Sequence, residues 1–334
     1  MDVAVVVPSW NGASLLPACL ESLLSQHDPA PTVIVVDNGS TDGSPELVER
    51  DFPGVVLLKQ VHNLGFAGGV NVGIHHALAY DARYVALFNN DAVAQPGWLA
   101  ALTTEADAHP EAGIVTSRLV SGDGSTIDST GDFYSWWGYP FPRGRGEPND
   151  ATRYAEAQEV FGASGGATLY RAEMLRQIGL FDEAYFAYYE DVDLSFRAQL
   201  AGWRVRYTPA AVAWHKQGST SSRMAGFHRF HSVKNFFFLY VKNMPGPLAI
   251  RHLPRFLAGF AMLCAGTLRM GLPGALIKAL GRIVTSTPRL VGDRRRVQAL
   301  RTVPVKRIEE LLYKDMPPGQ VRFFRVLRAI GVRR

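Results

Sequence analysis

The chain has 334 residues, 47% of them hydrophobic, with two cysteines and a net charge of +5. That apolar content suits one large domain, or a domain with an added lobe, and excludes a disordered chain. Two cysteines, Cys19 and Cys264, exclude a disulfide framework or a cysteine-held metal cluster and suit a reducing compartment.

The charge is divided along the chain. Residues 1–222 hold 13 Lys/Arg against 26 Asp/Glu, and residues 223–334 hold 22 against 4. Two regions are therefore expected, 1–222 and 223–334, the second suited to an anionic surface.

The N-terminal MDVAVVVPSW is acidic and only briefly apolar before Pro8, so it reads as a strand rather than a signal peptide. An apolar-periodic helix follows around residues 15–24. Then come TVIVVD (32–37), a short helix near 45–50, VVLLK (55–59), a helix over about 67–80, and YVALF (84–88). Continuous apolar strands alternating with helices specify an α/β fold, a mostly parallel sheet covered on both faces. Ligands bind such sheets beyond the carboxyl ends of the strands. Small and polar residues follow all four strands, at 8–12, 37–43, 63–69 and 89–91. Four such loops on one edge form a site. Asp37, at a strand end, can accept an imide N–H from a pyrimidine base, although Asp-Asn-Gly is also a favoured turn. Asp91, with Asn89 and Asn90, can hold a hard divalent ion against a diphosphate, although the short triplet reads equally as a polar strand end. Asn38-Gly39-Ser40 matches a glycosylation sequon, a coincidence in a cytosolic chain.

Residues 118–160 lack periodicity. Gly, Pro, Trp136, Trp137 and the arginines at 143 and 145 there suggest a mobile loop over the site. GASGGATLYRAE (162–173) allows close backbone approach to a ligand at Gly165 and Gly166. YYEDVDLSFRAQLAGW (188–203) crowds Glu190, Asp191 and Asp193 at the start of a helix whose apolar stripe is Val192, Phe196 and Leu200. A structural helix start needs one capping carboxylate, not three. A carboxylate fixed there can act as a general base toward an acceptor hydroxyl. Trp214 and His215 end the next strand, and a ligand or phosphate role for His215 stands level with a structural one.

Beyond residue 223 the chain is basic and aromatic, then apolar but interrupted by Arg255, Arg269, Pro273 and Lys278. The uninterrupted run 256–268 is too short to span a bilayer, which takes about 20 residues. A basic helical region lying in the membrane interface fits better than an ordinary helical lobe. VRFFRVLRAIGVRR (321–334) has the same character.

Together PSWNG, VVDNGSTDGS, NLGFAGGVNVGI, LFNNDA, the run from GASGG to AGWRV, and WHKQGST resemble the family 2 inverting glycosyltransferases of the GT-A fold, in the rhamnosyltransferase-like branch. The resemblance spans about residues 3–243 and rests on the order of the motifs. It implies a nucleoside-diphosphate sugar, rhamnose being the sugar of the branch, a divalent Mg²⁺ or Mn²⁺, and an inverting single displacement onto a glycan or polyprenyl-diphosphate-linked acceptor. Donor-binding residues would be Pro8, Ser9, Asn11, Asp37, Asn38, Ser40, Asp42, Asn63, Gly65, Phe66, Ala67, Asn71, Asn89 and Asn90. Asp91, at the last position of the family's D-x-D, and His215 would hold the metal. Asn89 stands where many relatives carry aspartate, so metal binding would lean on His215 and the diphosphate. Asp191 matches the catalytic aspartate of the E-D motif, with Glu190 beside it. Gly165, Gly166, Tyr189, Asp193 and Trp214 would serve the acceptor or the loop around it. The expected location is cytoplasmic, peripheral on the inner face of the cell membrane.

Two other functions compete. A sugar-phosphate nucleotidyltransferase would want cations after the first strand to grip a triphosphate, and residues 8–12 supply none. A non-catalytic nucleic-acid or anionic-surface binder would leave the acidic four-loop site unexplained, so no nucleic-acid partner is expected.

Overall fold

The computed structural model describes residues 2–216 and 225–318. The boundary at 222/223 and the basic run 321–334 lie outside those residues, as do all but the first three residues of WHKQGST.

In chain order the elements begin with β1 (Val3–Ser9), α1 (Leu16–Leu24), β2 (Thr32–Asp37), α2 (Ser44–Asp51), β3 (Val56–Lys59), α3 (Gly65–Ala79) and β4 (Tyr84–Phe88). Next come β5 (Ala92–Ala94), α4 (Trp98–Ala108), β6 (Ala112–Ser121), β7 (Ile127–Ser129), β8 (Asp132–Tyr134), β9 (Pro140–Pro142), β10 (Gln158–Val160), β11 (Ala167–Arg171) and α5 (Ala172–Ile178). The chain continues with α6 (Glu190–Leu200), β12 (Arg204–His215), α7 (Ala225–Asn243), α8 (Gly246–Arg269), α9 (Pro273–Ala299) and α10 (Val305–Leu311).

The sheet runs β10-β12-β6-β11-β4-β1-β2-β3. The half containing β1 to β4 is parallel. β11 is inserted antiparallel between β4 and β6, while β12 runs parallel to β6. Alternation along β2 divides the burial. Val33 and Val35 join α1 and α4 on one face, and Ile34 and Val36 join α3 and α5 on the other. Both faces are therefore covered, which is why these strands lack a polar side.

The irregular stretch 118–160 is not an open loop. β7 pairs with β6, β8 pairs with β9 as a hairpin, and Tyr134 and Tyr139 of that hairpin are buried. Its strands are three residues long, too short to leave a periodic signal.

The C-terminal helices make a third core. Val192, Phe196 and Leu200 of α6 pack with Phe236, Leu239, Phe256 and Ile283 of α7, α8 and α9. Pro273 does not interrupt a helix but opens α9, where its missing N–H costs nothing. The apolar region thus becomes two helices, α8 and α9, that both join the third core. At 24 residues, α8 is long and apolar enough to cross a membrane by length and composition. The helix is longer than the uninterrupted run 256–268 because it continues through Arg255.

Candidate active site

Beyond the carboxyl ends of β1, β2 and β4 lies a cleft of about 880 Å³. Pro8, Ser9, Asn38, Asn63, Gly65, Phe66, Asn89, Asn90 and Asp91 line one side. Gly165, Gly166, Tyr189, Glu190, Asp191 and His215 line the other. The four polar loops and the acidic helix start, distant in sequence, meet in one cavity.

The segment leading into α6 is unusual. Phe186, Tyr188 and Tyr189 all have φ between 66° and 71°, a region non-glycine residues rarely occupy. Such backbone persists only where its surroundings hold it, and it clusters at functional sites. The holding is visible. Asn235 of α7 donates to the carbonyls of Tyr185, Ala187 and Tyr188 at 3.1, 2.9 and 2.7 Å. The Phe186 carbonyl accepts from Ala67 N at 3.2 Å. Gly65 must be glycine, because a Cβ there would lie 2.5 Å from that same carbonyl oxygen.

Three carboxylates at the start of α6 meet three different fates. Asp193 is fully buried and bonded by Tyr185, Arg197, Lys242 and Asn243 at 2.8–3.0 Å. Burial works against its charge, but Lys242 and Arg197 outweigh burial and hold it below the usual carboxylate range. Glu190 is also buried, its Oε2 has no hydrogen-bond partner, and burial with the neighbouring Asp191 pushes it well up. Asp191 faces the cleft. Gly165 N donates to its Oδ2 at 2.9 Å and Val192 N to its Oδ1 at 2.8 Å. Burial raises its carboxyl, opposed by those amides. A carboxylate held by backbone at a helix N-terminus, and moderately raised, has the attributes of a positioned base.

Asp91 and His215 also come together. His215 Nε2 lies 3.1 Å from Asp91 Oδ1, and its Nδ1 lies 2.7 Å from the buried Asp128. Burial disfavours a charged ring here, but the bonds from Asp128 and Asp91 prevail and push it up to about 9. A carboxylate behind a histidine is the outer-shell arrangement that orients a metal-ligating imidazole. Among the described residues no three His, Cys, Asp or Glu side chains are grouped to hold an ion alone. One carboxylate and one imidazole do fit a cation that takes its other ligands from substrate phosphate oxygens.

Several sequence-nominated residues sit elsewhere. Asn71 is buried and committed to Phe181 and Glu183, so it braces α3 and does not reach the cleft. Ala67 is buried in the same helix. Asn11, Ser40 and Asp42 bond the first two loops to each other through Thr41, Asn11 and Ala13 amides. Asp193 is the structural hub described above rather than an acceptor contact. Trp214 is half exposed on β12, outside the cleft lining. Asp37 is buried and does not itself line the cleft, but its Oδ1 has no hydrogen-bond partner, which leaves an acceptor for a ligand N–H.

The sequence reading missed Trp10, Asp128, Asp132, Phe141 and Arg145 as site residues, all of which line the cleft. Asp132 is buried, and burial and Asp191 push it up to about 8. Burial and the neighbouring Asp191 thus both favour the protonated form of Asp132. The signal available was two aspartates in a polar stretch, IDSTGD, which becomes meaningful only when β7 pairs with β6.

The sequence pattern of "Glycosyl transferase family 2" matches residues 4–179. The chain belongs to that family. It is 33% identical over 254 residues, 70% of this chain and 83% of the relative, to an N-acetylglucosaminyl-diphospho-decaprenol L-rhamnosyltransferase of Mycobacterium tuberculosis. It is 27% identical over 315 residues to a pre-mycofactocin glycosyltransferase of the same organism, covering 90% of this chain and 58% of the relative. Its fold is that of S. aureus TarS 1–349 with UDP-GlcNAc, at a TM-score of 0.59 and 16% identity over 96% of this chain and 95% of that one. It is likewise that of the Pyrobaculum calidifontis mannosyltransferase PcManGT, solved with GDP-Man and Mn²⁺, at 0.53 and 19% over 89% and 85%. The glycosyltransferase fold and the mostly parallel α/β sheet expected from the motifs are thus those of the protein. Membership in that family sets aside the sugar-phosphate nucleotidyltransferase.

Proposed function

We propose that this glycosyltransferase moves a sugar, rhamnose in the first instance, from a nucleoside diphosphate to a hydroxyl of a polyprenyl-diphosphate-linked glycan, with inversion. The observation that carries this reading is Asp191, a carboxylate held by two backbone amides in a cleft that the four strand-end loops also line. Asp191 takes the proton of the acceptor hydroxyl as that oxygen attacks the anomeric carbon. The bond from that carbon to the diphosphate breaks as the new bond forms, from the opposite face. The rhamnosyltransferase relative, named for a decaprenol-diphosphate acceptor, supports the sugar and acceptor class. The test is a panel of UDP-, GDP- and dTDP-sugars scored by protection against thermal unfolding, followed by transfer to polyprenyl-diphosphate-linked N-acetylglucosamine. A dTDP-sugar should protect and transfer. Absence of protection by every member would overturn the reading.

Asp91 and His215, the latter braced by Asp128, would hold Mg²⁺ or Mn²⁺, which when bound would supply positive charge against the leaving diphosphate. Chelation with EDTA is expected to remove most activity and added Mn²⁺ or Mg²⁺ to restore it, with Asp91→Ala weakening donor binding. Full turnover in EDTA would refute the metal assignment.

Residues 1–222 would form the catalytic part and 223–334 the membrane-facing part, on the cytoplasmic side. On α8 and α9, Ile250, Leu257, Ile277 and Val284 are 77%, 52%, 69% and 72% exposed, interleaved with exposed Arg251, Arg255, Lys278 and Arg282. The opposite face of α8, with Phe256, Gly259 and Leu263, is buried against the protein. One packed face and one exposed basic-apolar face favour lying in the interface over spanning it. Each Lys or Arg near an anionic surface contributes on the order of 1 kcal/mol. The full chain should co-sediment with anionic but not neutral vesicles, and less so at high salt. Ile250→Glu with Ile277→Glu and Val284→Glu should release it. These surface changes suit the test better than truncation after Asn243, which would strip the third core. Undiminished binding by the triple variant would refute the docking face.

A further inference from the structure

A nucleoside diphosphate brings at least two negative charges into this cleft, which already has five carboxyl groups in its lining: Asp91, Asp128, Asp132, Glu190 and Asp191. Those five carboxyl groups make the lining an acidic wall. Among the described residues of the lining, one side chain is permanently cationic, Arg145. Its position is fixed. Nη2 lies 2.8 Å from Asp128 Oδ1, and Nε donates to the Asp128 backbone carbonyl at 3.1 Å. The other carboxylate oxygen of Asp128 holds His215 Nδ1. One buried carboxylate therefore anchors an imidazole and a guanidinium in the same cleft.

We propose that Arg145 binds the donor diphosphate, and that Asp128 is the positioning residue that holds both Arg145 and His215 toward it. The inference rests on the reading of the cleft as a nucleoside-diphosphate-sugar site. A guanidinium has five N–H donors, and the contacts with Asp128 occupy two, so three remain for phosphate oxygens. Were the Arg145–Asp128 pair only a surface ion pair, it would contribute little and would have no reason to line the cleft. The arrangement also accounts for Asn89. A site with one carboxylate fewer pulls less strongly on a cation, and a fixed guanidinium supplies charge that does not depend on the ion.

The test measures binding of inorganic pyrophosphate, with and without Mn²⁺, and of whichever of UDP, GDP and dTDP the full-length protein binds best. The matching nucleoside, which has no phosphate, is the control. Arg145→Ala should weaken both phosphate probes about ten- to a hundredfold, the scale of a charge-assisted contact. It should leave nucleoside binding unchanged and the protein folded, since Arg145 is more than half exposed and Asp128 keeps His215. Arg145→Lys should recover part of the loss. Asp128→Asn should weaken the same probes, and adding Arg145→Ala to it should cost less than the sum of the two changes, because one residue acts through the other. Pyrophosphate affinity within twofold of wild type in Arg145→Ala would overturn the proposal while the donor reading stands, as would an equal loss for the nucleoside. Wild-type protein that binds none of the nucleoside diphosphates would overturn both.

Discussion

Asp191→Asn is expected to lower sugar transfer about 10²–10⁴-fold, the range for loss of a positioned general base, while leaving donor binding within about twofold. The substitution keeps the shape of the side chain and one of its two acceptors. Of the two backbone contacts, from Gly165 N and Val192 N, one survives and one faces an amide N–H. The cost to the fold is a single weakened hydrogen bond, on the order of 1 kcal/mol. The cost to the chemistry is larger, because an amide cannot take the acceptor proton. Asp132 does not replace it. Burial and the neighbouring Asp191 keep it protonated near neutral pH, and removing the Asp191 charge frees Asp132 only from that second influence. The measurement is turnover beside dTDP-sugar protection against unfolding for both proteins. Near-normal turnover by a folded variant would remove Asp191 from the mechanism.

The parallel half of the sheet was legible because its signal is local. Strands such as TVIVVD are buried on both faces, so each is a continuous apolar run, and each ends on a polar loop. The cleft residues in those loops followed from the rule that ligands sit at strand ends. The antiparallel insertion of β11 was not legible, since it depends on which strand returns between β4 and β6. Nor were Asp128, Asp132 and Arg145. They lie on or beside three-residue strands with no period of their own, and only long-range pairing turns them toward the cleft. Asn71 illustrates the opposite error. A polar residue in a motif-rich stretch was assigned to the ligand, yet the fold uses its amide to satisfy buried backbone groups of residue 181. Sequence alone cannot divide polar residues between those two uses, because both satisfy hydrogen bonds.

The same division decides the fate of the acidic helix start, and it yields the largest stability effect expected here. Asp193→Ala should destabilise the fold by about 3–5 kcal/mol, the scale for removing one partner of a buried ion pair. Arg197 and Lys242 are both buried beside Asp193 and would lose their shared carboxylate. The loss should fall toward the lower end. Arg197 keeps the carbonyls of Ile178, Gly179 and Leu180, and Lys242 keeps Asp182 at 2.8 Å. A fall in melting temperature on the order of 5–10 °C is expected. The pH dependence has a definite sign. Asp193 is held below the usual carboxylate range, so its contribution is complete above the unfolded value of about 3.9 and is lost as pH falls through its lower folded value. The gap between wild type and variant should therefore be widest near neutral pH and narrow in acid. Activity should fall with it, because Lys242 and Asn243 tie α7 to α6, and α7 carries the Asn235 that holds the strained segment before Asp191. Thermal melts of both proteins between pH 3 and 7 would check this, and a constant gap across that range would show that the Asp193 charge does not stabilise the fold.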